Sequence, residues 1–224
     1  HTPGAAVRWP SAGAIRGRGR SAGRSGSDRR VRWQDGSRLQ LGFAGKYNSG
    51  CMSILKVSRM GHPVLRSKTR TVSQSMLASA TVQQLIDDMM ATMDEYSGVG
   101  LAAPQVHSDL RLFVASLDME RGDEPSQPVA IINPDITPVG NEIVEDWEGC
   151  LSIPDIRGKV PRYREIKVKG LDREGRKIEL RARGFSARII QHETDHLDGI
   201  LFFDRMKSFE TLAFLDEYSR YWSK

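Results

Sequence analysis

The residues best suited to chemistry lie in one run, Gln191-His192-Glu193-Thr194-Asp195-His196-Leu197-Asp198-Gly199. On a helix, His192 and His196 stand one turn apart on a shared face, where two imidazoles can grip one metal ion with Glu193 beside them as a proton carrier. The plainer alternative is a helix with two surface histidines among scattered acids. Against it stand the glutamate in place, the apolar Ile189 and Ile190 ahead of the first histidine, and Gly199 as a stop. A catalytic metal site usually takes three protein ligands and leaves one position open. The pattern His-Glu-x-x-His-x-x-Gly-x-x-His begins here, with Gly199 in place, but its last position is Phe202, which cannot bind metal. A second pattern needs a glutamate further along the chain, and Glu217 is the residue on offer. The stronger candidate lies upstream, at Cys150 within Glu148-Gly149-Cys150-Leu151-Ser152. A free cysteine is usually an ordinary buried thiol. Here Gly149 permits a close approach, and the charge of Glu148 is out of keeping with an inert core neighbour.

Three blocks together, Gly98-Val99-Gly100-Leu101-Ala102-Ala103-Pro104-Gln105, Glu148 to Ser152 and Gln191 to Gly199, resemble the signature motifs of peptide deformylases, in that family's order. The resemblance runs from about Met52 to the C-terminus. It implies removal of the formyl group from the N-terminal formyl-methionine of new polypeptides, yielding formate and a free N-terminal methionine. It makes Cys150 the third ligand beside His192 and His196, and Glu193 the residue that takes a proton from water and returns it to the leaving amine. Gln105 and the backbone N–H of Leu151 then receive the oxyanion. Gly98, Val99 and Gly100 line the peptide groove, with Gly149 and Arg157 beside it. Glu148 is expected to pair with an arginine, Arg162 being the candidate. One thiolate with two imidazoles suits zinc or ferrous iron. The resemblance points to Fe2+, with Zn2+, Ni2+ or Co2+ as substitutes. It implies N-formylmethionyl nascent peptides as partners and allows a transient ribosome contact through the C-terminal helix. The rivals are a zinc endopeptidase using Glu217, a structural zinc site with four protein ligands, and an RNA-binding protein acting through its basic arm.

The 224 residues suffice for one domain with a real core. Their net charge of +5 is unevenly spread. Nine arginines and Lys46 stand against Asp28 and Asp35 in residues 1–51, which puts +8 there and leaves −3 on the remainder. A mildly acidic catalytic part argues against direct nucleic-acid binding. The Arg-, Gly- and Ser-rich residues 1–51 are expected to be a disordered basic leader ahead of a catalytic domain over 52–224. An upstream extension, a transit peptide and an RNA arm compete to explain that leader. A bacterial-type cytoplasmic location is expected, or a mitochondrion or plastid if the leader is a transit peptide. No run of about 18 apolar residues exists, so no membrane-spanning helix is expected. With Cys51 and Cys150 the only cysteines, a disulfide framework is not expected.

Helical spacing of Val82, Leu85, Ile86, Met89, Met93 and Tyr96, opened by a capping box at Thr81 and Gln84, predicts an amphipathic helix ending near Gly98. Gly61 to Arg66 reads as extended, with His62 a turn residue ahead of Pro63. Arg111 to Leu117 reads as a buried strand, Arg121 to Pro128 as a loop, and Val129 to Ile132 as a short strand stopped by Asn133-Pro134. Glu142 to Ser152 runs extended. Glu165 to Leu171 and Lys177 to Ala182 alternate as a hairpin about Asp172-Arg173-Glu174-Gly175. Phe185 to Leu197 is the metal helix and Ser208 to Trp222 a last helix. His107 is expected at the surface. These elements give an α+β domain of mixed or antiparallel strands around the metal helix.

Overall fold

A computed structural model of the chain describes residues 52–117 and 128–223. The leader expected over 1–51 and residues 121–127 of the expected polar loop lie outside these. In chain order the regular elements are α1 (Gln74–Leu77), α2 (Ala80–Glu95), β1 (Gly100–Ala102), β2 (Leu112–Ala115), β3 (Val129–Pro138), β4 (Ile143–Cys150), β5 (Ile153–Tyr163), β6 (Glu165–Leu171), β7 (Lys177–Arg183), α3 (Gly184–Leu197), β8 (Ala213–Phe214) and α4 (Leu215–Tyr221). Single 3-10 turns occur at Pro63–Arg66, Ala103–Val106 and Phe202–Arg205. The result is an α+β fold of antiparallel sheets with helices.

Alternation along the strands decides the layering. Neighbouring strand residues point to opposite faces. Leu112, Val114, Ala130 and Ile132 therefore share one face, where Val82, Ile86, Met89 and Met93 of α2 cover them. Phe113, Ala115 and Ile131 share the other with Ile166 and Val168, under Ala187, Ile189, Ile190 and Leu197 of α3. Burial on both sides explains why Leu112 to Ala115 is continuously apolar. The five strands run antiparallel in the order β1-β2-β3-β6-β7, with the expected β6–β7 hairpin at one edge and β1 at the other. A second sheet, β4-β5-β8, packs on the far side of α3. Leu65, Cys150, Ile153, Val160, Leu201 and Phe202 form its core.

Several local expectations give way to stronger interactions. The long helix starts at Ala80, not Thr81, because Ser79 is already anchored by its hydroxyl to the carbonyl of Met76 (2.6 Å) and accepts from the N–H of Val82 (3.3 Å). Tyr96 is its half-exposed C-cap and not a core residue. His62 is extended, as a residue before proline should be, but Pro63–Arg66 winds into a 3-10 turn that the His62 Nδ1 caps at the N–H of Val64. Strand β3 does not stop at Asn133-Pro134. It passes through them with an irregularity, Asn133 taking φ +51°. The Asn133 amide pairs with the backbone of Val72 in both directions, at 2.9 and 2.8 Å, and so substitutes for a strand neighbour.

Strand β5 carries Pro154, Gly158 and Pro161, which disguise it in the sequence. It tolerates them because β8 covers only Ile156 and Arg157, so Pro161 stands where β5 has β4 as its one partner, and Pro154 falls in the irregularity between Ile153 and Gly158. The single helix expected over Ser208 to Trp222 is also corrected. The chain turns through residues 208–212, adds β8 to β5, and only then forms the short α4. Aromatic residues on several sides of that stretch fit a helix poorly but fit an edge strand followed by a turn of helix, with Trp147 lying against Tyr218 and Trp222.

Replacing Asn133 by alanine removes two hydrogen bonds and leaves a side chain strained at positive φ. Unfolding in denaturant should show a loss of about 2–4 kcal/mol. Asn133→Gly, which relieves only the strain, should fall in between.

Candidate metal centre and active site

Helix α3 is buried on nearly every side, from Ala187 to Leu197. One side is apolar and meets the five-stranded sheet. The other is polar and must find partners inside the protein, since a buried polar group left unpaired is costly. It finds them on the β4–β5 hairpin. The Gln191 side chain accepts from the N–H of Tyr163 (3.1 Å) and donates to its carbonyl (2.9 Å), while Arg188 donates to the carbonyls of Val144 (2.7 Å) and Val160 (2.8 Å). This docking sets the histidines against the end of β4, where Cys150 pairs with Ile153 across the two-residue connection Leu151-Ser152.

Among the described residues, the His, Cys, Asp and Glu side chains placed to share one ion are Cys150, His192 and His196, whose ligand atoms lie within 4.8 Å of one another. The Cys150 Sγ is 3.2 Å from His196 Nε2. Two imidazoles and a thiolate are a borderline-soft donor set suited to zinc or ferrous iron. The residues also leave room for chemistry. Glu193 is 4 % exposed, and its Oε2 has no hydrogen-bond partner among the described residues. Such an orphaned carboxylate beside three ligands fits a site completed by a cation and water.

Glu148 holds His192 in place. Its carboxylate lies 2.9 Å from His192 Nδ1, which leaves the other ring nitrogen for a metal. The same carboxylate receives Arg162 through Nε (2.8 Å) and Nη2 (3.0 Å), as expected, and Arg188 Nη1 (2.8 Å). Arg162 continues to Asp195 (2.5 Å), which also receives Arg205 (2.8 Å). Burial alone would raise the Glu148 pKa, but the His192 hydrogen bond and the Arg162 charge hold it well below the usual carboxylate range. Burial likewise penalises the Arg162 charge, and Glu148 and Asp195 more than compensate. For His192, hydrogen bonds to Cys150 and Glu148 outweigh burial and raise its pKa. His196 goes the other way, lowered first by burial and then by the neighbouring His192. For Glu193, burial outweighs the nearby positive charges of His192 and Arg162 and pushes it up to about 7.

A cleft opens above these residues. Gly98, Val99, Gly100, Gln105, Gly149 and Leu151 line it with His192 and Glu193, and Phe185, Arg188 and Ile189 complete its wall. Gly100 is required by close approach, because a Cβ there would stand 2.3 Å from Glu193 Oε1. Gln105 Oε1 accepts from the N–H of Ala102 (2.8 Å), and Nε2 donates to Ser152 Oγ (3.2 Å) and toward Cys150 Sγ (3.5 Å).

Of the site residues singled out from sequence, His196 and Arg157 are not part of the cleft lining; His196 still joins the other two ligands, whereas Arg157 does not. It is buried behind Gly149, where a Cβ would collide with its guanidinium, and it donates to the carbonyl of Ile156 (2.9 Å). Glu217 sits on α4, partly exposed and paired with Arg220 (3.0 Å), apart from the three ligands. His107 is exposed, its ring edge-on to that of His62 at 4.7 Å. Sequence reasoning missed Ser152, Asp195 and the segment around Ser58. The first two lie inside the quoted motifs, but nothing in their spacing declared a task. Phe185 and Ile189 were read only as helix.

Residues 54–211 match the family model described as polypeptide deformylase. "Peptide deformylase 2" of Nostoc sp. is 48 % identical over 158 residues, covering 69 % of this chain and 87 % of that protein. The crystal structure of the class I type b peptide deformylase from Acinetobacter baumannii with Met-Ala-Ser bound superposes with a TM-score of 0.65 at 40 % identity, covering 70 % of this chain and all of that one. A plant peptide deformylase structure gives a TM-score of 0.64 at 32 % identity, covering 77 % of this chain and 89 % of its own. The chain belongs to the peptide deformylase family, whose members are metal-dependent hydrolases.

Substituting Glu148 by glutamine removes the charge that orients His192 and leaves two buried guanidinium groups facing a neutral amide. Metal affinity, read by competition with a chelator, should fall about 10–100-fold, and unfolding free energy by about 3–5 kcal/mol. Unchanged affinity would show that His192 needs no such support. Cys150→Ala should lose the metal and Glu217→Ala should keep it.

Proposed function

We propose that this protein hydrolyses the formyl group from the N-terminal formyl-methionine of newly made polypeptides and releases formate. The observation that carries this is the orphaned, proton-ready carboxylate of Glu193 beside Cys150, His192 and His196, with Gln105 and Leu151 on the same cleft. A divalent cation held by Cys150, His192 and His196 would supply Lewis acidity and would bring the pKa of a water from about 16 toward about 7. Glu193 accepts a proton from the attacking water and afterwards delivers it to the departing amine. Burial, which raises the Glu193 carboxyl above the ordinary carboxylate range, suits a group that both takes and returns a proton. Gln105 Nε2 and the N–H of Leu151 receive the charge that develops on the formyl oxygen.

Two strand edges support a peptide substrate. β1 ends the five-stranded sheet and β4 ends the other, and both reach the cleft through glycines, Gly100 and Gly149. An extended peptide can pair with such edges through its backbone. Val99, Leu151, Phe185 and Ile189 offer an apolar lining suited to a methionine side chain. The Met-Ala-Ser bound to the Acinetobacter baumannii relative is a peptide of the product type. Fe2+ is the working metal in this proposal, since a mixed thiolate and imidazole set accepts it, with Zn2+, Ni2+ or Co2+ as substitutes. The compartment follows the substrate: bacterial cytoplasm, or a mitochondrion or plastid if residues 1–51 are a transit peptide. No helix among the described residues is long and apolar enough to cross a membrane.

The test is formate release from formyl-Met peptides by anaerobically purified protein, with internal peptide cleavage scored in parallel. Formate without internal cleavage is expected. Internal cleavage without formate would instead favour an endopeptidase. Glu193→Gln should lower the rate by about 10²–10⁴-fold, and Gln105→Ala by about 10²–10³-fold, mostly in kcat, with metal retained in both. Glu193 works as a base only when ionised, so activity should fall as pH drops through its pKa. Glu193→Gln should flatten that acid limb, and Gln105→Ala should lower the curve and keep its shape.

A further inference from the structure

The useful end of Gln105 is set by its neighbours. A glutamine side chain ends in a soft sp3–sp2 torsion, so an amide with one partner can still swing or turn over. The backbone N–H of Ala102 can only donate, and at 2.8 Å it claims Oε1. That places the NH2 end on the other side, where Nε2 meets Ser152 Oγ at 3.2 Å. With one N–H spent on the hydroxyl, the second lies toward Cys150 Sγ at 3.5 Å, a weak acceptor at the reacting centre. Resting on the assignment of Gln105 as an oxyanion donor, we infer that Ser152 is a positioning residue, whose hydroxyl locks the Gln105 amide with one N–H turned to the reacting oxygen.

The backbone supports the lock. Ser152 is fully buried, at the tip of the β4–β5 hairpin, and Gln105 is buried in the 3-10 turn after β1. The two come from separate elements, yet one strand of chain ties both. The N–H of Ser58 donates to the carbonyl of Gln105 (2.7 Å), and the N–H of Met60 donates to the carbonyl of Ser152 (2.8 Å). The Ser58 hydroxyl adds bonds to the carbonyls of Pro104 (3.0 Å) and Gln105 (3.1 Å). The side-chain bond between Gln105 and Ser152 therefore joins backbones already held in register. It orders the amide and not the loops.

A double-mutant cycle on the metal-loaded full chain separates this role from a merely structural one. Ser152→Ala should lower kcat for a formyl-Met peptide about 5–10-fold, the worth of one neutral hydrogen bond, with KM and metal content unchanged. In a Gln105→Ala background the same substitution should change kcat by less than about 2-fold, because the amide it positions is gone. Ser152→Cys keeps the volume with a poorer acceptor. It should give an intermediate loss, and it carries the same cycle if Ser152→Ala does not fold. An equal loss in both backgrounds, or no loss in the parent, would overturn the inference while leaving Gln105 as a donor. If Gln105→Ala itself leaves kcat unchanged, the assignment of Gln105 fails first, and the inference with it.

Discussion

Glu148 is 2 % exposed, and its two oxygens meet three side chains, those of Arg162, Arg188 and His192. The partners come from two elements, Arg162 from β5 and Arg188 and His192 from the metal helix, while Glu148 itself lies near the end of β4. A buried carboxylate with that many donors is satisfied only when hairpin and helix are docked in one arrangement. Cys150 lies two residues further along β4, and its approach to His196 follows from the same docking. Replacing buried ion networks with well-packed apolar residues is often neutral for stability, since burying ions is costly. It would not leave His192 oriented. The charges here serve geometry more than stability.

The second buried carboxylate shows the contrast. Glu148 and Glu193 are both enclosed, one packed against the metal helix and one on it, but their surroundings drive them apart. The His192 hydrogen bond and the Arg162 charge keep Glu148 ionised against the cost of burial, whereas burial raises Glu193 to about 7, and one Glu193 oxygen has no partner among the described residues. A pair of carboxyl groups separated in this way divides the work, one fixed as an anion and one free to exchange a proton. Gly100 matters for the same reason, because only a residue without a side chain lets Glu193 lie against β1.

The metal helix was legible in the sequence because its chemistry and its periodicity coincide: His192 and His196 share a face, Ile189 and Ile190 open it and Gly199 ends it. The β6–β7 hairpin was legible from alternation. Strand β5 was not, since Pro154, Gly158 and Pro161 speak for a loop until the shortness of β8 is known. Nor was the C-terminal segment, whose aromatic residues serve an edge strand and the Trp147 face in turn. Cys150 stood out through Gly149 and Glu148. The roles given to Gln105 and Leu151 came from family resemblance, since neither spacing nor composition announces a backbone donor or an oriented amide. The link between Ser58, Gln105 and Ser152 depends on three segments meeting in space, which no local pattern encodes.

The central claim is that a sheet cysteine and two helix histidines converge on one cation. X-ray absorption at the metal edge of anaerobically loaded Fe2+ protein tests it most directly. One sulfur at about 2.3 Å among nitrogen and oxygen scatterers is expected, and that sulfur should vanish in Cys150→Ala. A first shell without sulfur in the parent protein would contradict the account.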